Sequence, residues 1–382
     1  MVNKKKVFVG MSGGVDSSVA AMLLRDEGHD VVGVFMRCYN LDGCAERDAE
    51  DARRVAEQLG IPFYVWDFEE EYKRRVVDYM IEGYRAGITP NPDVMCNREI
   101  KFGLFLKKAL ASGADYVATG HYVRIVAREG AGGVAGAAGA PTFSLFAGKD
   151  PSKDQSYFLW TLTQAELAHC LFPIGDFLKS EVRAMARRGG LPTAEKKDSQ
   201  GVCFLGDISV ADFLKQYIPE RRGALMTTAG ENIGEHSGAE FYTIGERHID
   251  ADFKFPKTGH GTGAGHPAAR KPFYVASKDA ATNTVTVAEG SEHPALYKKE
   301  LVITGVNFIN PPAVGGLADG AAPVEVFARV RYRQPLAAAT LSMLLDGNYA
   351  LAFREPQKFV APGQSAVFYS KDGEMLGGGI II

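Results

Sequence analysis

Over its first two hundred residues the chain alternates short apolar runs with amphipathic segments. Val7-Phe8-Val9 is an unbroken apolar run, and Asp30–Met36, Phe63–Phe68 and Tyr116–His121 supply three more of strand length. Between them, Val15–Leu24, Glu46–Leu59, Glu69–Gly83 and Glu99–Ala111 read as helices. In Glu46–Leu59, Ala52, Val55, Ala56 and Leu59 fall on one face, and Gly60 and Pro62 stop the helix. Strands alternating with helices predict an α/β fold, a doubly wound parallel sheet with its ligand site beyond the carboxyl ends of the strands.

The rhythm then changes. Residues 128–141 are rich in Gly and Ala and lack periodicity, which reads as an insertion inside a hairpin that is functionally idle. Thr163-x-x-Glu166 is a capping box and Lys179–Arg188 a helix, so the first domain is expected to span residues 1–207. Short β runs follow at Glu240–Ile244, Phe273–Ala276 and Thr284–Ala288, predicting a small central β-rich domain over 208–298 with a long loop at 250–271. Alternation in Val324–Tyr332 and Gln364–Tyr369 predicts a C-terminal β-barrel over 299–382.

Composition adds bounds more than direction. The 382 residues, 46% of them hydrophobic, suffice for two or three domains with ample core, and a net charge of −3 leaves room for local basic patches. No apolar stretch reaches the roughly 18 residues that span a membrane, and the lysine-rich start runs straight into the first strand, so a cytoplasmic protein without membrane attachment is expected. Five cysteines without a C-x-x-C pair fit neither a secreted disulfide framework nor a zinc or iron-sulfur site, so no structural metal is expected.

Chemistry concentrates in three places. In Lys6–Val19 an apolar strand, the turn Gly10-Met11-Ser12-Gly13-Gly14 and a helix start at Val15-Asp16-Ser17-Ser18 bring backbone N–H groups and a helix dipole to one point, as an anion site requires. No lysine follows as in a Walker A loop, and the spacing is not G-x-G-x-x-G. The string SGGVDS resembles the PP-loop of ATP pyrophosphatases, which implies cleavage of ATP to AMP and pyrophosphate with Asp16 near Mg2+. The second place is Thr89–Asn97, read as a stiff two-proline loop holding Asp93 and Cys96 in fixed relation. The third is Asp198–Cys203, where Lys196 and Lys197 are expected to favour the Cys203 thiolate. Thiols on two loops suggest sulfur chemistry, whereas Cys38, Cys44 and Cys170 read as small buried hydrophobes.

GMSGGVDSS, TPNPDVMCNREIKFG, TGHYVRI, KDQSYFLW, KKDSQGVCFLG, FYTIGERH, VRYRQ and PGQSAVFY occur in this order over almost the full chain, which resembles the tRNA-specific 2-thiouridylase family. The resemblance implies a PP-loop domain, a small central domain and a C-terminal β-barrel, and an ATP-dependent 2-thiolation of the wobble uridine of tRNA. It implies that Gly10–Ser18 bind the ATP phosphates, with Met36 and Gly120 lining the nucleotide site. Asp93 is then the general acid/base, Cys96 the nucleophile, and Cys203 the carrier of a persulfide received from a sulfur-relay protein or cysteine desulfurase. Asn91, Pro92 and Asp93 would meet the target base, and His121, Lys153, Asp154, Gln155, Arg331, Tyr332 and Gln364 the tRNA. Because the thiolate is the competent species, both thiols are expected to be partly exposed in electropositive surroundings.

One departure stands out: Glu246 replaces the Gln of the family's TIGQR, and a carboxylate facing phosphate would repel it. Two rival readings are an amide-forming PP-loop synthetase, for which no glutaminase domain is visible, and an ATP sensor without turnover, which leaves the cysteine loops and the β-rich tail unexplained.

Overall fold

The computed structural model describes residues 4–39, 43–128, 141–197, 205, 208–254, 271–310 and 322–382. Its first layer is a five-stranded parallel sheet built from β1 (Lys6–Gly10), β2 (Asp30–Arg37), β3 (Phe63–Asp67), β4 (Tyr116–Ala118) and β7 (Cys170–Leu171), in the order β3-β2-β1-β4-β7. Period-two alternation sorts β1 between two cores. Val7 and Val9 pack with Val19 of helix α1 (Val15–Asp26) and with Ala52, Val55 and Ala56 of helix α2 (Cys44–Leu59), whereas Phe8 joins Tyr72, Val76, Met80 and Phe105 on the opposite face. The sheet is therefore covered on both sides, as expected. β3 differs from its sisters: it is the edge strand, and Tyr64 and Val65 stand 53% and 43% exposed.

The central unit is a five-stranded sheet of β8 (Gly223–Thr227), β9 (Asn232–His236), β10 (Ala251–Phe253), β11 (Phe273–Asp279) and β12 (Thr284–Glu289), in the order β10-β9-β8-β12-β11. The expected strand Glu240–Ile244 is absent. Ala239–Phe241 form a 3-10 turn after Gly238, whose φ of 153° redirects the chain, and Glu240 turns inward to pair with Arg221 at 3.0 Å.

The C-terminal strands β13 (Tyr297–Phe308), β14 (Val324–Arg329), β15 (Ala337–Met343), β16 (Tyr349–Lys358), β17 (Ser365–Tyr369) and β18 (Glu374–Ile381) close on themselves through a β13–β18 pairing, giving a six-stranded antiparallel barrel. Leu301, Ile303, Val326, Leu341, Leu351 and Phe353 fill it. The hairpin β5 (Val123–Arg128) and β6 (Thr142–Ala147) is joined to this barrel and not to the parallel sheet: β6 pairs with β18, so the first 207 residues contribute two strands to the C-terminal sheet.

Arg128 and Thr142 are ladder partners. Whatever joins them spans only one hairpin end, and most of the Gly/Ala segment lies outside the described residues. Replacing 129–141 by a tight turn is expected to change stability by less than about 1 kcal/mol, because loop-closure entropy varies slowly with length. Thiolation should be unchanged. A loss of tRNA affinity at fixed salt would show that the segment does bind.

Candidate functional site

The strand order climbs outward from β1 through β2 and β3 on one side and through β4 on the other, so the topological switch point lies between β1 and β4. Two features close that crevice. Gly13 has φ 72°, and a β-carbon there would stand 2.3 Å from the Asp48 carbonyl oxygen of α2. Gly120, just past β4, presses so closely on the loop that a β-carbon would lie 2.6 Å from the Ser17 nitrogen. Only glycine fits at either place. Gly14 is the N-cap of α1 and offers no capping side chain. The loop is held by its serines: Ser17 Oγ accepts from the Ser12 N–H at 3.1 Å, Ser18 Oγ donates to Gly14 O at 2.7 Å, and Thr193 Oγ1 donates to Ser18 Oγ at 3.0 Å. Met11 and Val15 are buried beneath, and the Met36 side chain packs over Gly10.

Asp16 stands in the first turn of α1, gripped by two groups that the motif does not contain. Lys179 Nζ donates to its carboxylate oxygens at 2.7 and 2.8 Å, and the Tyr122 hydroxyl donates to Oδ1 at 2.8 Å. An acid, a lysine and a turn of N–H groups thus face one crevice, which suits a polyphosphate with its cation.

The second centre corrects an expectation. Pro92–Met95 is helical and runs on through a π-helical stretch, Cys96–Phe105, into Leu106–Ala111, so Asp93 and Cys96 sit three residues apart on a helix and not on a loop. The signals were in the sequence: Asn91 is the N-cap, its side chain accepting from the Val94 N–H at 3.2 Å, and Pro92 is the first helical residue, where proline is favoured. Asn97 Nδ2 donates to Asp93 O at 3.0 Å. A cavity of about 260 Å³ opens beside this turn, lined by Asn91, Pro92, Asp93, Tyr84, Phe158 and Tyr332 among others.

Burial controls the electrostatics here. It pushes the Asp93 carboxyl above the usual carboxylate range, with Lys101 opposing. Burial likewise raises the Cys96 thiol, with Lys101 opposing and Asp93 adding to the rise. Cys96 is only 6% exposed, so the partly exposed thiol foreseen from the sequence is not what the structure holds. His121 is also buried, its ring against Phe102 and Phe172 and its Nδ1 2.7 Å from Thr119 Oγ1; burial first, then Lys101, keep it well below the usual imidazole value.

The barrel reaches across to this centre. Gln364 Nε2 donates to Thr89 O at 3.0 Å and Pro90 O at 3.1 Å, and the Thr89 N–H donates to Pro362 O at 2.8 Å, so residues 89–93 are fixed from the barrel side. Gln364 is thus a clamp on the segment that carries Asp93. Arg331 is spent on backbone: its Nε donates to Phe359 O at 2.9 Å and Nη2 to Ile244 O. Asp154 is buried in an ion pair with Arg329 and accepts from the Gly148 and Ser156 N–H groups. Gln155 accepts from the Tyr122 N–H, and Lys153 is half-buried. Glu246 is engaged within the central domain: burial raises its carboxyl, it accepts from the Thr243 N–H at 2.9 Å, and it lies in the field of Lys278, whose ammonium burial pushes down to about 8.

Cys203 lies outside the described residues. Lys196, expected to favour its thiolate, pairs with two carboxylates of α2, its Nζ 2.7 Å from Asp48 and 2.6 Å from Asp51. Cys170 is buried as expected, and Cys38 is half-buried against the core. Among the described residues no cluster of three or more metal-ligating side chains occurs, and no helix is long and apolar enough to cross a membrane. Sequence reading missed Lys179, Tyr122 and Lys101. Lys101 lies five residues past Cys96, one π-helical turn on, a relation invisible under the assumption of an ordinary helix.

Three family models match the chain: the tRNA methyl transferase HUP domain over residues 5–207, the tRNA methyl transferase PRC-barrel domain over 211–289, and the aminomethyltransferase beta-barrel domain over 298–381. Full-length similarity is found to tRNA-specific 2-thiouridylase MnmA of Pseudomonas putida (strain W619), 45% identical over 99% of this chain and 95% of that protein. MnmA 2 of Geobacillus kaustophilus (strain HTA426) is 42% identical over the same shares, and MnmA of Chromobacterium violaceum is 44% identical over 100% of this chain and 93% of its own.

Proposed function

The chain belongs to the tRNA-specific 2-thiouridylase MnmA family, enzymes that thiolate uridine in tRNA, and from that premise we propose how its residues carry the reaction on the wobble uridine. The observation that carries the proposal is the pairing of a phosphate-type crevice at Gly10–Ser18 with a separate cavity at whose wall Asp93 stands, Cys96 one turn behind it.

ATP binds with its phosphates in the loop Gly10–Ser18, on N–H groups of the turn and of the first turn of α1 that have no intrahelical partner, and Met36 and Gly120 bound the nucleotide. Asp16 would hold Mg2+, which supplies charge neutralisation on the phosphates, and Lys179 is placed to share that load. The target uracil enters the cavity beside Asn91, Pro92 and Asp93. Its 2-oxygen attacks the α-phosphorus, the bond to the β-phosphate oxygen breaks, and pyrophosphate leaves. Asp93, its carboxyl raised by burial, takes and returns the uracil proton in this exchange.

The adenylated oxygen is now a good leaving group. The outer sulfur of a persulfide on Cys203, delivered by a sulfur-carrier protein or cysteine desulfurase, attacks C2, and AMP departs with the oxygen. Cys96 as thiolate then attacks the Cys203 sulfur; the sulfur–sulfur bond to the substrate breaks, sulfur stays on C2, and a Cys96–Cys203 disulfide remains for an external thiol to reduce. Lys101 is the cation that favours the Cys96 thiolate in its buried setting.

This course predicts AMP and pyrophosphate as products, in the presence of undermodified tRNA and a sulfur donor. Chromatography of labelled ATP checks it: ADP as the product would rule out α-phosphate attack.

A further inference from the structure

Glu246, where the family's motif has Gln, closes a turn on which all three domains meet. Its Oε2 accepts from the Thr243 N–H at 2.9 Å, and its own N–H donates to Thr243 O at 3.0 Å. Strand β11 holds the turn from one side, the Gly245 N–H donating to Val275 O at 2.7 Å. The barrel meets it with Phe359 against Gly245 and Arg331 on the Ile244 carbonyl. The first domain reaches it through hydroxyls: Thr89 Oγ1 donates to Thr243 Oγ1 at 3.4 Å, and Thr243 bonds in turn to the phenol of Tyr84, on the helix Asp78–Arg85. Tyr84 and Thr89 both line the cavity that Asp93 borders.

Lys278 of β11 stands over the Tyr84 ring, with Nζ 5.6 Å from the centroid. That nitrogen is buried and has no hydrogen-bond partner among the described residues. The charges acting on it are the carboxylates of Glu240 and Glu246, and Glu240 already pairs with Arg221 at 3.0 Å. His248 acts on Glu246, and Glu246 and Arg331 act on Tyr84. A buried ammonium without hydrogen bonds is costly; the ring face and the two carboxylates offset that cost.

We propose that Lys278 is a positioning residue for the target uridine: its ammonium, supported by Glu246, pins the Tyr84 ring and so fixes one wall of the pocket, and loss of its proton loosens the grip on the base. This rests on the cavity being the uridine pocket. Burial pushes the Lys278 ammonium down to about 8, where an ordinary lysine stays charged. The wall is therefore held below that pH and released as pH rises through it. Removing the Glu246 charge takes a stabilising neighbour from the ammonium, so release then comes at lower pH. Gln keeps a carbonyl oxygen for the Thr243 N–H, so Glu246→Gln removes the charge and spares the turn.

The test uses full-length protein and two synthetic anticodon stem-loop RNAs, one with an unmodified target uridine and one abasic at that position. Fluorescence anisotropy gives the affinity ratio of the two at fixed salt from about pH 6 to pH 9, and the ratio cancels the phosphate contacts that both RNAs share. In the parent protein the preference for the uridine RNA should fall about threefold to tenfold as pH rises through 8, the size of a desolvated cation–π contact. Lys278→Met should show the lowered preference at every pH. Glu246→Gln should keep the parent preference at low pH and lose it at lower pH than the parent does. A preference that does not change with pH in the parent, a decline that Lys278→Met shares, or an unmoved decline in Glu246→Gln overturns the proposal and leaves the pocket reading standing. Equal affinity of the parent for both RNAs at every pH overturns the pocket reading itself, and the proposal with it.

Discussion

Replacing Cys96 by alanine is expected to abolish thiolation, lowering the rate by on the order of a thousandfold or more, because the nucleophile that releases sulfur to the base is gone. Serine is the second variant, since a buried hydroxyl in an apolar site can cost stability of its own and the two changes separate lost chemistry from lost fold. The same mechanism predicts a Cys96–Cys203 peptide after one turnover without reductant, and bridging needs the α-carbons within about 7 Å. In the free enzyme the thiol is held protonated by burial, so alkylation of Cys96 should be slow at neutral pH and accelerate only above the ordinary thiol range. A parent rate of thiolation in either variant would remove Cys96 from the reaction, whereas rapid alkylation at neutral pH would contradict the buried, protonated thiol of the free enzyme.

Asp154→Ala should be strongly destabilising, by on the order of 3–5 kcal/mol read from the urea midpoint. The pair with Arg329 is buried on both sides, with side chains 4% and 7% exposed. Arg329 also donates to Tyr369 Oη at 2.9 Å, its Nε has no partner among the described residues, and Asp154 serves two backbone N–H groups. Removing the carboxylate leaves a buried cation and two orphan donors at the seam between the first domain and the barrel. Exchanging both partners, Asp154→Leu with Arg329→Met, should recover much of the loss, since no charge is then stranded. Should Asp154→Ala leave the midpoint in place and weaken only RNA binding, the residue would be a tRNA contact after all.

What could be read from the sequence follows the range of the forces involved. The strand, glycine turn and helix at Lys6–Val19 are local, and the two-residue period of a strand is enough to send Val7 and Val9 to one core and Phe8 to the other. The helix start at Asn91-Pro92 is equally local, but two prolines within three residues read as a loop. Glu240–Ile244 has strand composition, and its fate is decided by Gly238 and by an ion pair to Arg221, neither visible in alternation. The reach of β5 and β6 into the barrel, the grip of Lys179 on Asp16 163 positions away, and the burial of His121 and Asp154 are tertiary facts.

The most direct test of ATP-dependent 2-thiolation is nucleoside mass spectrometry of undermodified tRNA after incubation with the enzyme, ATP, Mg2+ and a persulfide donor. The expected product is 2-thiouridine at the wobble position, formed in equal amount to AMP and absent when ATP is omitted. Sulfur at C4 of the base, or 2-thiouridine appearing without ATP cleavage, would contradict the proposed reaction.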